Sequence, residues 1–370
     1  MKNDSTYNKI HYALNVSLEK ESSYNRIKIK LLRRVRALYI GIPRALFYYK
    51  YYPFWKNFFE LLGYKVVLSS PTNKEIVKKG IELCVDDACL PIKVFHGHVA
   101  DLIGKADAIY IPRIISIEPK EYICPKFLGL PDMIRNSIPN LPYIIEPELN
   151  LYRGKNKILN HILQISEFLN VSKRKAFIAY NKSLRIQRQF DSRLIEKQII
   201  PQDALCNNQE SSSNNSHIKN SNNLKVLLLG HNYNIYDDFI SMGLVRKLQK
   251  QNINFITSEM VTEKIILEGT KKLEKNMFWT LGKQTIGTAY YFLDRKKVDG
   301  IIHVASFGCG PDSLVGELIE KRTKRDYDIP FLYLNLDEHA AEIGFNTRLE
   351  AFLDVLEGRK YFEDNISTYG

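Results

Sequence analysis

Short apolar strands alternate with amphipathic helices twice over in this chain, and a stretch with almost no apolar side chain separates the two rounds. Before residue 207 the strand candidates are ALYIGI, KVVLSS, ADAIYIP and PYIIEP, with the helical PFWKNFFELL, closed by Gly63, between the first two. After residue 223 come KVLLLG, INFITS, DGIIHVA and PFLYLNL, with DDFISMGLVRKLQKQ reading as a helix between the first pair. Alternation of this kind joins parallel strands by right-handed crossovers that lay helices on both sheet faces. The expected fold is therefore α/β: two doubly wound domains, Rossmann-like or flavodoxin-like, one in each half. Ligands in such folds sit beyond the carboxyl ends of the strands.

The separating stretch, NNQESSSNNSHIKNSNN at 207–223, cannot repay the entropy of ordering and reads as a flexible joint. It divides the chain into an N-terminal extension (1–34), a first α/β domain (35–200), a flexible linker (201–223), a second α/β domain (224–358) and a C-terminal tail (359–370). At 370 residues and 45% hydrophobic content there is enough apolar surface for two cores. No apolar run reaches about 18 residues, and the start lacks the charged-then-apolar order of a signal peptide. A cytoplasmic protein with no membrane partner is expected. The net charge of +12 is spread along the chain rather than gathered into a stripe. Its densest part, RIKIKLLRRVR from Arg26 to Arg36, alternates with apolar residues and reads as a solvated edge strand or tail, so no nucleic-acid partner is expected.

The stretch FGCGPDSL, residues 307–314, places Cys309 in the turn after a buried strand, with Pro311 suited to the first turn of the helix that follows. Gly308 and Gly310 let the backbone turn tightly there. Cys89, two residues before Pro91, and Cys124, directly before Pro125, repeat the arrangement. Cys84, inside the apolar run IELC, and Cys206, beside the joint, do not. Five scattered cysteines in a reducing compartment do not form a disulfide framework. A single buried cysteine is ordinarily a small hydrophobe; three in matched settings point to a shared ligand. Zinc wants four ligands at tight spacing, and no C-x2-C pair exists. His96 and His98 stand two apart on a helix and face different ways, so one is expected to be packed or capping and the other exposed. An iron–sulfur cluster with three thiolates and one open position suits the softness of these ligands better.

Several ordered motifs carry a resemblance: IGIPRALFYYKYYPFWKNFFELLGYKVVLSS, CLPIKVFHGHVADL, YICPKFLGLPD, GHNYNIYDDFI, FGCGPDSL and LDEHAAEIGFNTRLEAFLDVL. Over roughly residues 36 to 357 the chain resembles the acyl-CoA dehydratase activase-associated proteins, relatives of the 2-hydroxyacyl-CoA dehydratase and benzoyl-CoA reductase subunits. The resemblance implies two Rossmann-like domains with a 4Fe–4S cluster between them, held by the cysteines at Cys89, Cys124 and Cys309. It implies low-potential electron transfer, or reductive activation of an acyl-CoA substrate. It also implies a separate ATP-dependent activase as partner, since the chain has neither a G-x-x-x-x-G-K-[ST] loop nor a G-x-G-x-x-G after a strand. The competing expectation is a non-enzymatic binding or scaffold protein of the same fold, with zinc in place of the cluster.

Other polar residues fall at strand ends. His231 and Asn232 follow KVLLLG, and Asp237 is placed to cap the next helix. Asp337, Glu338 and His339 close the last strand as an acid–base group, with Thr347 and Arg348 opening the last helix. Glu338, His339 and His231 are the catalytic candidates. Arg44 and Arg113 each end an Ile-Pro-Arg tripeptide and either face an anionic ligand or form ordinary ion pairs.

Overall fold

The computed structural model describes residues 38–205, 224–339 and 342–367. The N-terminal extension, the basic stretch Arg26 to Arg36, Cys206 and the joint at 207–223 lie outside the described residues. The strands, in chain order, are β1 Tyr39–Ile42, β2 Lys65–Leu68, β3 Ala108–Tyr110, β4 Arg113–Ser116, β5 Tyr143–Ile145, β6 Glu148–Asn150, β7 Lys225–Gly230, β8 Asn254–Ile256, β9 Gly300–Ser306 and β10 Phe331–Leu336. Helices of the first half are α1 Tyr48–Leu61, α2 Lys74–Leu83, α3 Leu90–Asp101, α4 Pro125–Ser137, α5 Ile158–Phe168, α6 Lys173–Lys197 and α7 Pro201–Leu205. Those of the second are α8 Asn232–Tyr236, α9 Leu244–Lys250, α10 Glu263–Thr270, α11 Thr280–Asp294, α12 Gly310–Asp326 and α13 Glu342–Ser367. The last of these runs through residues expected as a tail.

The fold is α/β with parallel sheets, as the alternation predicts. One four-stranded sheet has the order β2-β1-β3-β5 and the other β10-β9-β7-β8, every neighbouring pair parallel. Counted within its own half, each sheet therefore reads second, first, third, fourth. The inner strands of the second sheet are apolar runs rather than alternating ones because helices cover both faces: β9 is buried at every position and β7 at all but its first. Strands β4 and β6 form a separate parallel pair that continues beyond the first sheet.

The halves also share a helix crossing. A Cβ built on Gly80 of α2 would meet the Lys93 carbonyl of α3 at 2.0 Å, and one on Gly269 of α10 would meet the Gly287 carbonyl of α11 at 1.9 Å. In each half, then, the two helices between the second and third strands touch backbone to backbone. One apolar cluster joins the halves, running from Leu46, Ile92 and Phe127 to Leu228, Tyr233 and Ile302. A second, around Ile42, Phe59 and Tyr110, stays within the first half.

Three local expectations are corrected. The helix expected from Pro53 begins at Tyr48, the extra turn held by Tyr48 against Tyr49 and Tyr52 at ring-centroid distances of 5.1 and 4.9 Å. The helix expected from Asp237 is broken, because the Asp237 carboxylate accepts the N–H groups of Phe239 and Ile240 and Gly243 turns through a φ of 70°, so α9 starts only at Leu244. Neither His96 nor His98 is exposed; both are buried, since α3 lies inside the molecule and is covered all round from Leu90 to Val99.

Candidate functional site

Each of the three matched cysteines is the residue that caps a helix. Cys89 precedes α3, Cys124 precedes α4 and Cys309 precedes α12, each with proline at the first or second helical position. Proline fits there because its missing N–H would have had no intrahelical partner. The remaining first-turn N–H groups and the helix dipoles face the capping residues and favour negative charge at the sulfurs.

All three cysteines line one cavity of about 30 Å³ together with Leu46, Lys126, Phe127, His231, Tyr233 and Trp279. Leu46 follows β1, His231 follows β7 and Cys309 follows β9. The cavity thus sits where the strand order of both sheets reverses, beyond their carboxyl ends. Burial pushes the Cys309 thiol up, and the neighbouring Asp312, Cys89 and Cys124 add to the effect while a backbone N–H of Asp312 opposes it. Burial also raises Cys89, against the pull of the Lys126 ammonium. Tyr233, fully enclosed beside the three sulfurs, is held neutral for the same reason. Burial keeps Cys89 and Cys309 as neutral thiols until a cation arrives to take the sulfurs as thiolates, and thiolates are ligands for a thiophilic metal.

Beneath Cys309 lies a polar group. Asp312, 1% exposed, has Oδ1 3.2 Å from His303 Nε2 and Oδ2 3.8 Å from His231 Nδ1. Burial alone would raise this carboxyl, but His231 and His303 hold it below the usual range. Ligand atoms of His231, Cys309 and Asp312 fall within 4.8 Å of one another. His231 Nδ1 is already engaged, 2.7 Å from the Tyr233 hydroxyl.

Of the catalytic candidates, only His231 lines the thiol cavity. Glu338 turns away to an ion pair with Lys93 of α3 at 2.5 Å, the two side chains 13% and 6% exposed. His339 is exposed, its backbone N–H donating to Asp337 Oδ1. Asp337 and Glu338 line a larger cavity between the halves, about 1120 Å³, with Arg44, Tyr48, Thr72 and Asp237. Arg44 Nε is buried there without a hydrogen-bond partner. Arg113, by contrast, is tied to Asp132 and Glu146, which is the ion-pair role. Asp237 does cap a turn, and its other oxygen accepts the hydroxyls of Tyr49 and Thr72 from the first half. Asn232 is buried outside the thiol cavity. Cys84 is buried at the end of α2, also outside it.

Sequence reasoning missed Lys126, Tyr233 and Trp279. Lys126 lay two residues beyond Cys124 and Tyr233 two beyond His231, where proximity along the chain was the available signal. For Trp279 the signal was the repeated strand and helix order, which gives it the position that Cys89 holds in the first half.

Residues 39–261 match the family model described as "CoA enzyme activase uncharacterised domain (DUF2229)", and residues 209–356 match that described as "2-hydroxyglutaryl-CoA dehydratase, D-component". No curated protein matches the chain. Among solved structures, a Salmonella typhimurium LT2 protein described as sugar binding is similar at 9% identity over 90% of this chain and 92% of that chain, with a TM-score of 0.22. A likeness that low carries no argument about either fold or ligand. Among the described residues no helix is long and apolar enough to cross a membrane.

Proposed function

The chain belongs to the family of the CoA enzyme activase uncharacterised domain, related to the 2-hydroxyacyl-CoA dehydratases, and on that premise we propose that it is an iron–sulfur protein whose Cys89, Cys124 and Cys309 hold a 4Fe–4S cluster. Its role is low-potential electron transfer, or reductive activation of an acyl-CoA-type substrate. The observation that carries this reading is the convergence of three helix-capping cysteines, drawn from both halves, on one cavity. A four-iron cluster is anionic and takes soft ligands, and this cavity offers three thiols facing three helix amino termini with Lys126 beside them. When bound, the cluster supplies a one-electron store at low potential, with one iron left without a protein sulfur.

The chain's own residues do the rest. The helix termini and Lys126 offset negative charge, while Leu46, Phe127 and Tyr233 keep water from the sulfurs. Loading requires the three thiols to release their protons, which makes metal binding tighter at higher pH. Arg44, with no ion pair among the described residues, is available in the larger cavity to an anionic portion of a substrate. The electron comes from a separate ATP-dependent activase, in keeping with the family's description and with the lack of a nucleotide loop in the sequence. Tyr122, Phe278 and Phe307, exposed near the cavity, give such a donor an apolar footing. Free thiols suit a reducing cytoplasm.

The zinc scaffold is the second reading, favoured by the His231, Cys309 and Asp312 group. It leaves Cys89 and Cys124 without a role, and His231 and Asp312 already have protein partners. Anaerobic purification with iron, sulfide and zinc analysis separates the two. About four iron and four sulfide per chain, with a reduced-cluster resonance that needs activase and ATP together, is the expected result. Zinc without iron would overturn it.

A further inference from the structure

The two halves place equivalent residues around the thiol cavity. In each half the helix before the third strand of the sheet begins at the cavity: α3 with Cys89 as its cap, α11 with Trp279. The helix before the fourth strand does the same, α4 with Cys124 and α12 with Cys309. The shared strand order and the matching glycine crossings, Gly80 of α2 against α3 and Gly269 of α10 against α11, show that this correspondence runs through the packing. Four capping positions therefore surround one space, and three are cysteine.

Trp279 is firmly placed. The Thr280 N–H donates to the Tyr122 carbonyl at 3.0 Å and the Tyr122 N–H to the Phe278 carbonyl at 2.7 Å, which clamps the indole-bearing residue to the segment leading into Cys124. Lys283 of α11 and Glu121 reinforce the clamp with an ion pair.

We infer that Trp279 is the structural counterpart of Cys89 and stands in the place of a fourth thiol, so that the side of the cavity under α11 has no protein ligand and the indole governs access to it. The inference rests on the three-thiolate reading above. An indole has only an N–H donor and cannot ligate iron, yet its bulk excludes water and a stray thiol. Trp279 is thus a specificity-determining residue: it keeps that side free for a small exogenous ligand.

Trp279→Cys should turn three converging thiols into four. In the reduced, metal-free protein, cadmium titration should give a thiolate-to-metal absorbance larger by about one third than in the wild type, as expected for four sulfurs in place of three. In iron-loaded protein, cyanide should perturb the reduced-cluster resonance of the wild type and of Trp279→Phe but not of Trp279→Cys. Circular dichroism of Trp279→Phe guards against loss of fold. An unchanged cadmium band overturns the inference alone. So does an introduced thiol in Trp279→Cys that iodoacetamide still alkylates after iron loading, with cyanide acting on all three proteins alike. If the wild type takes up no iron, the cluster reading fails, and the cadmium band still decides where Trp279 stands.

Discussion

Gly308 lies against Cys89: a Cβ built on the glycine would stand 3.4 Å from the Cys89 Cα. The turn that delivers Cys309 is thus seated on the residue that carries the first thiol, and contact between the halves brings both residues to one cavity. Gly308 has a φ of 74°, which a side chain tolerates poorly, whereas the space around it allows ordinary contact. Gly308→Ala should cost about 1–2 kcal/mol through backbone strain and lower iron retention. Gly310→Ala, with nothing within 4 Å of its Cβ, is the control and should be close to neutral. Urea denaturation of both variants checks this; equal losses would remove the special role of Gly308.

Single serine substitutions at Cys89, Cys124 and Cys309 should each strip most of the iron from anaerobically reconstituted protein, while Cys84→Ser should keep it. Cys84 is buried at the end of α2 and does not reach the cavity. Iron per chain is the measurement, and full retention in Cys309→Ser would sink the ligand assignment.

Lys93 and Glu338 tie α3 to the end of β10 across the halves, and Lys93 holds the Glu338 carboxyl below its usual range against the effect of burial. Removing one partner leaves a largely buried charge, so Lys93→Met should destabilise by about 3 kcal/mol. Lys93→Met with Glu338→Leu should regain most of that loss. A double-mutant cycle by chemical denaturation reads the coupling, and a value near zero would show that the pair does not join the halves energetically.

His98 is fully buried between the Ser69 and Thr72 hydroxyls at 2.8 and 3.0 Å, and burial holds its imidazolium down to about 3, with Asp101 opposing and Arg44 assisting. Because the folded state resists the proton that the unfolded chain accepts near pH 6.5, stability should be full above that pH and fall as pH drops from about 6.5 toward 3. At pH 5 the loss from this residue should be about 2 kcal/mol. Denaturation midpoints at about pH 7.5 and pH 5 check the slope, which His98→Gln should flatten.

One expectation was legible because its cause is local. A proline set one or two residues after a cysteine favours a helix start there, because its missing N–H has no intrahelical partner in the first turn, and Cys89, Cys124 and Cys309 all proved to be such caps. The acid–base group stands away from the thiol cavity for the opposite reason. Glu338 faces Lys93, a residue on another element in the other half, and no local pattern reveals that partner.

By itself the sequence determined the α/β alternation, the parallel sheets and the set of thiols at helix starts, since apolar period, turn chemistry and capping act within a few residues of one another. Only the tertiary structure decided that both sheets share one strand order, that α3 is covered on every side so that His96 and His98 are both buried, and that Trp279 shares a cavity with Cys89. Those facts depend on which surfaces of distant elements meet, and the packing that selects them is a property of the whole chain.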